Sequence, residues 1–292
     1  MKKKYPVIQK SGSPAADIWR RFRKNKPAMV GMMMIVLIVL LALFADILAD
    51  YDMRAIEQHP EERLQGPSLG HPLGTDAFGR DLFARVLHGA RYSLLFGVAC
   101  TLIALVGGGI IGAASAYLGG MVDNIIMRAL DAFMCIPGML LALSLVAAFG
   151  AGLNSIMIAI SISSIPGCAR IVRSVVLSIV GQEYIEAAKA CNLGAFRIIV
   201  LHVLPNAMGT IIVNATMNIA GLIMAAAGLS FIGMGIQPPA PEWGAMLSES
   251  IKYMRTHPHV VIIPGMAIVI TALSFNLVGD GLAEALDPRL KG

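Results

Sequence analysis

The chain is 292 residues long, 57% hydrophobic and only 14% charged, with a formal net charge of +5, and its mean hydropathy of +0.73 is far above the soluble globular norm. These values exclude an ordinary soluble enzyme, and because the basic residues border apolar runs they mark membrane topology rather than a nucleic-acid footprint. Cys100, Cys135, Cys168 and Cys191 are widely spaced with no CxxC, so neither a zinc site nor a disulfide framework is indicated.

Residues 1–27 form a basic segment carrying Lys2, Lys3, Lys4, Lys10, Arg20, Arg21, Arg23, Lys24 and Lys26. By the positive-inside rule this end stays cytoplasmic, and the apolar run 28–48 behind it is long enough to span. No small-residue cleavage site follows, so the run reads as a first transmembrane helix and not as a removable leader. Residues 49–93 are then extracytoplasmic and too polar to span. Within them Leu82, Phe83, Val86 and Leu87 recur at helical spacing, which predicts an amphipathic helix on the outer membrane face. His71 and His88 lack a matched ligand set and read as ordinary polar residues.

Residues 94–292 hold five further spans. The second, 94–117, carries Gly108 and Gly112 at GxxxG spacing, a pattern for close helix packing or for a pore-lining face. A polar turn, 119–124, leads into the third, 125–149. There Arg128 and Asp131 can pair near the cytoplasmic interface, an anchoring role for a shallow carboxylate, and Pro137 is expected to kink the helix. The fourth span, 152–168, contains Ser161, Ser163, Ser164 and Pro166 and emerges at Arg170 and Arg173, which mark the cytoplasmic side. The fifth, 208–232, sets Asn214 and Asn218 one turn apart on one face, where the amides either line an aqueous path or bond to neighbouring helices.

Gln237-Pro238-Pro239-Ala240-Pro241 is stiff and extended. Beyond it Trp243, Met246, Leu247, Ile251 and Met254 form an apolar stripe at helical spacing, with Trp243 suited to the membrane–water interface. A sixth span, 260–279, returns the tail to the cytoplasm. On this layout roughly sixteen Lys and Arg residues fall inside and roughly seven outside, the asymmetry expected of an N-in/C-in, all-α integral membrane protein with six transmembrane helices.

Between the fourth and fifth spans lies a polar interruption, 180–206, whose stretch 183–206 reads EYIEAAKACNLGAFRIIVLHVLPN. Glu186-Ala187-Ala188 sits in a helix-favouring run, the turn comes at Asn192-Leu193-Gly194, and a second helical run is closed by Leu204-Pro205. EAA, a turn and LP in that order resemble the EAA loop of ABC importer permeases, which in that family forms a coupling helix docked into a groove of a separate ATPase subunit. Ala187, Ala188 and Ala190 have little bulk, so a partner surface can approach the backbone, while Glu186 offers a charge-assisted contact to an Arg or Lys. The same alanines also fit plain helix propensity. The family's glycine position, six residues after the Glu, is Asn192 here, with Gly194 two residues later; Asn is the next-best residue for a left-handed turn, so the bend is expected to survive.

The resemblance covers nearly the whole chain. GTDAFGRD and GARYSL before the second span, GLSFIGMGIQPPAPEWGAML after the fifth and FNLVGDGLAEALDPRLKG at the end are similar to the C-type permease subunits of the dipeptide/oligopeptide/nickel group of ABC importers. That resemblance implies a type I ABC importer permease fold in the plasma membrane. It also implies a second related permease, two cytoplasmic ATPases that use ATP and Mg, and an extracytoplasmic solute-binding protein. The implied cargo is di- or oligopeptide, with glutathione or nickel chelates as the alternative. No GxxxxGK[ST] occurs, so the chain is expected to bind no cofactor and to leave ATP hydrolysis to its partners. An ion-gradient-driven secondary transporter is the more distant alternative, although two similar halves do not stand out. A membrane enzyme needs a polar catalytic cluster that the sequence does not offer.

Overall fold

A computed structural model describes residues 14–287. Lys2, Lys3, Lys4 and Lys10 of the basic segment and the last five residues of the tail lie outside them. Among the described residues all regular structure is helical, and five helices are long and apolar enough to cross a membrane, which makes up to six spans when one bent pair counts as a single span.

Helix α1 (Pro14–Phe22) precedes α2 (Lys26–Leu43), the first spanning helix, which starts where Asn25 accepts the N–H of Ala28 and Pro27 supplies a ready-made first turn. A short α3 (Ala45–Leu48) follows. The largest departure from expectation is α4 (Leu82–Leu118), where the amphipathic segment and the second span are one unbroken helix. Nothing between residues 91 and 94 breaks a helix, so the two stretches stay in phase. Leu82 and Leu87 are buried against α3, α2 and the loop after them rather than lying on a membrane face. Asp81 caps this helix by accepting the N–H of Phe83 and Ala84, and Gly119, at φ +63°, ends it.

The third span is also corrected. It is two helices, α5 (Gly120–Met134) and α6 (Gly138–Phe149), bent by 80° at the break. Pro137 has no N–H to continue the ladder and biases Ile136 away from helical angles, so the chain turns where only a kink was expected. Next come α7 (Leu153–Val180), α8 (Glu183–Ala190), α9 (Ala195–Ile198) with a π-helical turn to Val203, and α10 (Leu204–Phe231). The chain closes with α11 (Trp243–Ser250) and α12 (His259–Leu286).

Small residues set the packing. A Cβ on Gly108 would lie 2.8 Å from both Cys168 Cβ and the Ala169 backbone nitrogen, and one on Gly112 would overlap the Ala169 carbonyl. The GxxxG pair therefore serves close packing of α4 on α7. Gly31 of α2 seats against Ser274 and Leu277 of α12, and Gly209 of α10 against Leu286. The last contact, with Phe22 and Ala28 packed on Ala285, brings both ends of the described chain to the end of the bundle that carries α8.

Candidate coupling helix and membrane cavity

Helix α8 is held by one face. Ile185 and Ala188 are buried in a cluster with Val172, Val176 and Ile179 of α7 and with Ile198, Val203, Ala207 and Ile211, which run from α9 into α10. Glu186, Ala187, Lys189 and Ala190 are exposed, and Glu186 has no partner among the described residues. Ala188 thus packs inward. The expected small-residue knob shrinks to Ala187 and Ala190, because a helix with only Ile185 and Ala188 on its apolar side needs both to stay attached. The turn falls on Asn192, at φ +58°, while Gly194 has an ordinary extended backbone with φ −64°. The left-handed bend survives on the Asn. Lys189 reaches back over the ring of Tyr117 at the foot of α4, 5.6 Å from its centroid. Leu204 and Pro205 do not close the second helical run as expected: the π-helical turn, in which the Leu204 N–H reaches Ile199 O, carries the chain straight into α10.

Carboxylates tie α5 to α7 at this end. Arg173 forks onto Asp123 at 2.6 and 2.5 Å, and Ser115 donates to the same carboxylate. Asp131 takes Arg170 at 2.6 Å, not Arg128 as its spacing suggested, and Arg128 has no partner among the described residues. The anchoring role stands with a different cation, because α7 runs beside α5 and offers a guanidinium that need not bend along its own helix.

Between α4, the α5–α6 break, α7 and α10 opens a cavity of about 520 Å³, lined by Thr101, Gly138, Ser163, Ser164, Asn214 and Asn218 among mostly apolar neighbours. Both asparagines therefore face one space. Asn214 donates to Thr210 O in its own helix, at 2.8 Å, rather than to a neighbouring helix. Ser163 and Ser164 likewise donate to Ile160 O at 2.9 and 2.8 Å. Thr101 escaped the sequence reading because one Thr in an apolar helix carries no signal until the helices surround it.

The opposite end holds a cluster that sequence also missed. Arg80 and Arg85, each 1% exposed, share Asp76 and Glu249. Arg80 donates to Asp76 at 2.7 Å and to Glu249 at 2.6 Å; Arg85 donates to the carbonyls of Ala55 and Pro239 at 2.9 and 3.1 Å. His71 lies 3.2 Å from Asp81 and 3.3 Å from Glu62, and His88 is buried against the Ala49 carbonyl, so both are paired polar residues. Trp243, assigned to the membrane interface from sequence, is 2% exposed, with its Nε1 donating to Val86 O. Gly89 clears the space for its ring. Next to it Glu242 caps α11 by accepting the N–H of Gly244 and Ala245 at 2.9 and 2.8 Å, and burial pushes its carboxyl up against the pull of those two donors.

A helical bundle with apolar helices long enough to span and a lined cavity across its middle is an architecture suited to a membrane permease. Residues 104–292 match the family described as binding-protein-dependent transport system inner membrane component, and residues 13–67 match the N-terminal TM domain of oligopeptide transport permease C. The chain is 43% identical over 279 residues to the dipeptide transport system permease protein DppC of Alkalihalophilus pseudofirmus, covering 96% of this chain and 91% of that one. It is 42% identical over 280 residues to the glutathione transport system permease protein GsiD of Escherichia coli, covering 96% and 92%. In fold it is similar to the inward-facing MetNI methionine ABC transporter, with a TM-score of 0.59 and 18% identity over 70% of this chain and 97% of that one. The chain belongs to the binding-protein-dependent transport system inner membrane component family: it is a multi-pass permease of an ABC transporter in the plasma membrane.

Proposed function

We propose that this chain is one half of the translocation path of an ATP-driven importer of di- or oligopeptides. It pairs with a second related permease, two ATPases that hold ATP and Mg, and an extracytoplasmic solute-binding protein. Its six spans, counting α5 and α6 as one, are oriented N-in/C-in with the loop 180–206 in the cytoplasm. The observation that carries this reading is the division of α8 into a buried face and an exposed one. An ATPase groove can grip Glu186, Ala187 and the Asn192–Gly194 turn, and the load passes through Ile185 and Ala188 to α7 and α10. Those two helices wall the cavity with Ser163, Ser164, Asn214 and Asn218, so a rigid-body push on α8 reaches the path without any chemistry in this chain. The peptide cargo is supported by the relative named for dipeptides, and the relative named for glutathione supports a glutathione cargo as the second reading.

The test uses the complete transporter in proteoliposomes. Glu186→Ala and Ala187→Leu are expected to cut ATP-dependent uptake of a radiolabelled dipeptide about tenfold or more, the loss of one charge-assisted contact, while membrane insertion stays intact. Uptake at the wild-type rate in both variants overturns the coupling role. The ligand that co-purifies with the binding protein decides between dipeptide and glutathione.

A further inference from the structure

The face of α1 turned away from the bundle sets a large indole among cations. Ile18 and Phe22, one turn apart, look inward: Ile18 packs against the cluster of Phe22, Ala28, Val278 and Ala285, Phe22 is buried, and a Cβ on Gly281 of α12 would lie 3.2 Å from the Phe22 ring. Trp19 looks out. It is 50% exposed, its ring stacked over Phe22 with centroids 5.8 Å apart. Arg20 is exposed beside it, and the N–H of Arg23 reaches Trp19 O at 3.0 Å, so Arg23 prolongs the last turn on the same side as the indole.

Between α1 and the first turn of α2 the chain carries Arg20, Arg21, Arg23, Lys24 and Lys26. Arg20 alone among them has an ion pair, with Asp17 at 2.9 Å, and a pair so exposed leaves most of the guanidinium open to other anions. Glu284 of α12 accepts the Asn25 amide at 2.5 Å, and among the described residues neither it nor Asp280 pairs with any of these cations. Directly after them α2 shows exposed Val30, Met33 and Leu37, apolar residues of a helix long enough to span. Helix α1 therefore lies where the apolar surface of the bundle gives way to charge. We propose that the outward face of α1 is a docking surface for acidic phospholipid of the surrounding bilayer, with the Trp19 indole at the boundary of the acyl chains and Arg20, Arg23 and Lys24 on the headgroup phosphates. An indole flanked by guanidiniums matches that boundary, where one side is apolar and the other negatively charged. Several cations next to a spanning helix add their attractions to an anionic surface, and a zwitterionic surface gives them no such gain. An ATPase groove is the other surface that this end of the bundle can meet. It suits α8, which offers a carboxylate and small side chains, whereas α1 offers no carboxylate beyond the paired Asp17 and places its indole beside the exposed apolar start of α2. The lipid surface needs only the membrane location of the chain and is independent of its cargo.

The test uses the complete transporter in nanodiscs of phosphatidylcholine, alone or mixed with phosphatidylglycerol, and reads hydrogen exchange of the α1 amides. In the wild type these amides are expected to exchange about tenfold more slowly when phosphatidylglycerol is present, with the α4 amides unchanged, and raised salt is expected to remove the difference. Arg20→Gln with Arg23→Gln is expected to bring the two lipids within about twofold of each other, and Arg20→Lys with Arg23→Lys to keep most of the difference. Arg21, Lys24 and Lys26 stay in both double variants, so the signal that sets topology is retained. Equal exchange of the wild type in the two lipids overturns the surface: slow in both means that a partner subunit covers α1, and fast in both means that nothing does. A difference that persists undiminished in the glutamine variant overturns the assignment to Arg20 and Arg23.

Discussion

The charged knot at one end of the bundle and the seat of α8 at the other are built on different principles. At the end distant from α8, the buried side chains of Asp76, Arg80 and Arg85 and the half-buried Glu249 are knotted to one another and to the carbonyls of Ala55 and Pro239. That knot joins the loop after α3, the start of α4, the proline segment before α11 and α11 itself. At the other end α8 is seated through Ile185 and Ala188, with Lys189 over the Tyr117 ring, and Glu186 has no partner among the described residues. Buried ion pairs resist separation because each partner left alone is a desolvated charge, whereas an apolar face can tilt over its seat at little cost. One end is made to keep its shape and the other to be grasped and moved.

Cutting the knot is expected to give the largest effect. Arg85→Ala leaves Arg80 as the one guanidinium for both Asp76 and Glu249 and orphans two backbone carbonyls, so destabilisation of about 3–5 kcal/mol is expected, read as a large fall in the thermal midpoint in detergent and in the yield of folded protein. Arg85→Met, which fills the volume without the charge, recovers only part of that, since two carboxylates then share the single guanidinium of Arg80 and the Ala55 and Pro239 carbonyls stay without a donor. Glu186→Ala provides the contrast at the other end. Its melting midpoint is expected to match the wild type while its uptake does not, and a matching fall in stability at both ends would abolish the distinction.

Asn192→Val comes next. The residue sits at φ +58°, where a β-branched side chain is strained, and the expected cost is about 1–2 kcal/mol localised to the loop. Hydrogen exchange is the suitable measurement: the amides of α8 should exchange faster while those of α4 and α12 do not change. Asn192→Gly should exchange no faster than the wild type, because glycine adopts this conformation freely.

What the sequence made legible follows from the range of the forces involved. The apolar runs of the long helices, the polar stretch before α10 and the left-handed turn at Asn192 are written in runs of a few residues and were readable, whereas the 80° break at Pro137 and the unbroken run of α4 were not. The inward turn of Ala188 was not, because its burial depends on Val172 and Val176 of a different helix. The knot was illegible for the same reason: Arg80 and Glu249 meet across 169 positions. Trp243 misled because an indole flanked by prolines resembles an interface anchor until Gly89 opens a slot for it. The cavity needed four helices to close around Thr101, and no local pattern records that.

The smallest expected effect concerns Glu242, which belongs to the rigid end but carries the opposite electrostatic sign of contribution from its neighbours. Asp76 and Glu249 have guanidinium partners, whereas Glu242, 1% exposed, has the amide N–H groups of Gly244 and Ala245. Burial raises its pKa above the usual carboxylate range despite those donors. A carboxyl whose folded value is raised binds its proton more tightly in the folded state. Its contribution is therefore fully present below the unfolded value and is lost as pH rises through the folded one. The thermal midpoint of the wild type should accordingly decline slightly from acid pH toward neutrality, against any trend from other groups. Glu242→Gln keeps an oxygen to accept from Gly244 or Ala245 but cannot ionise, so this part of the slope should disappear. A pH profile of the variant superimposable on that of the wild type would mean that Glu242 is held as a carboxylate at no cost, and that the rigid end tolerates an unpaired charge as readily as the mobile one.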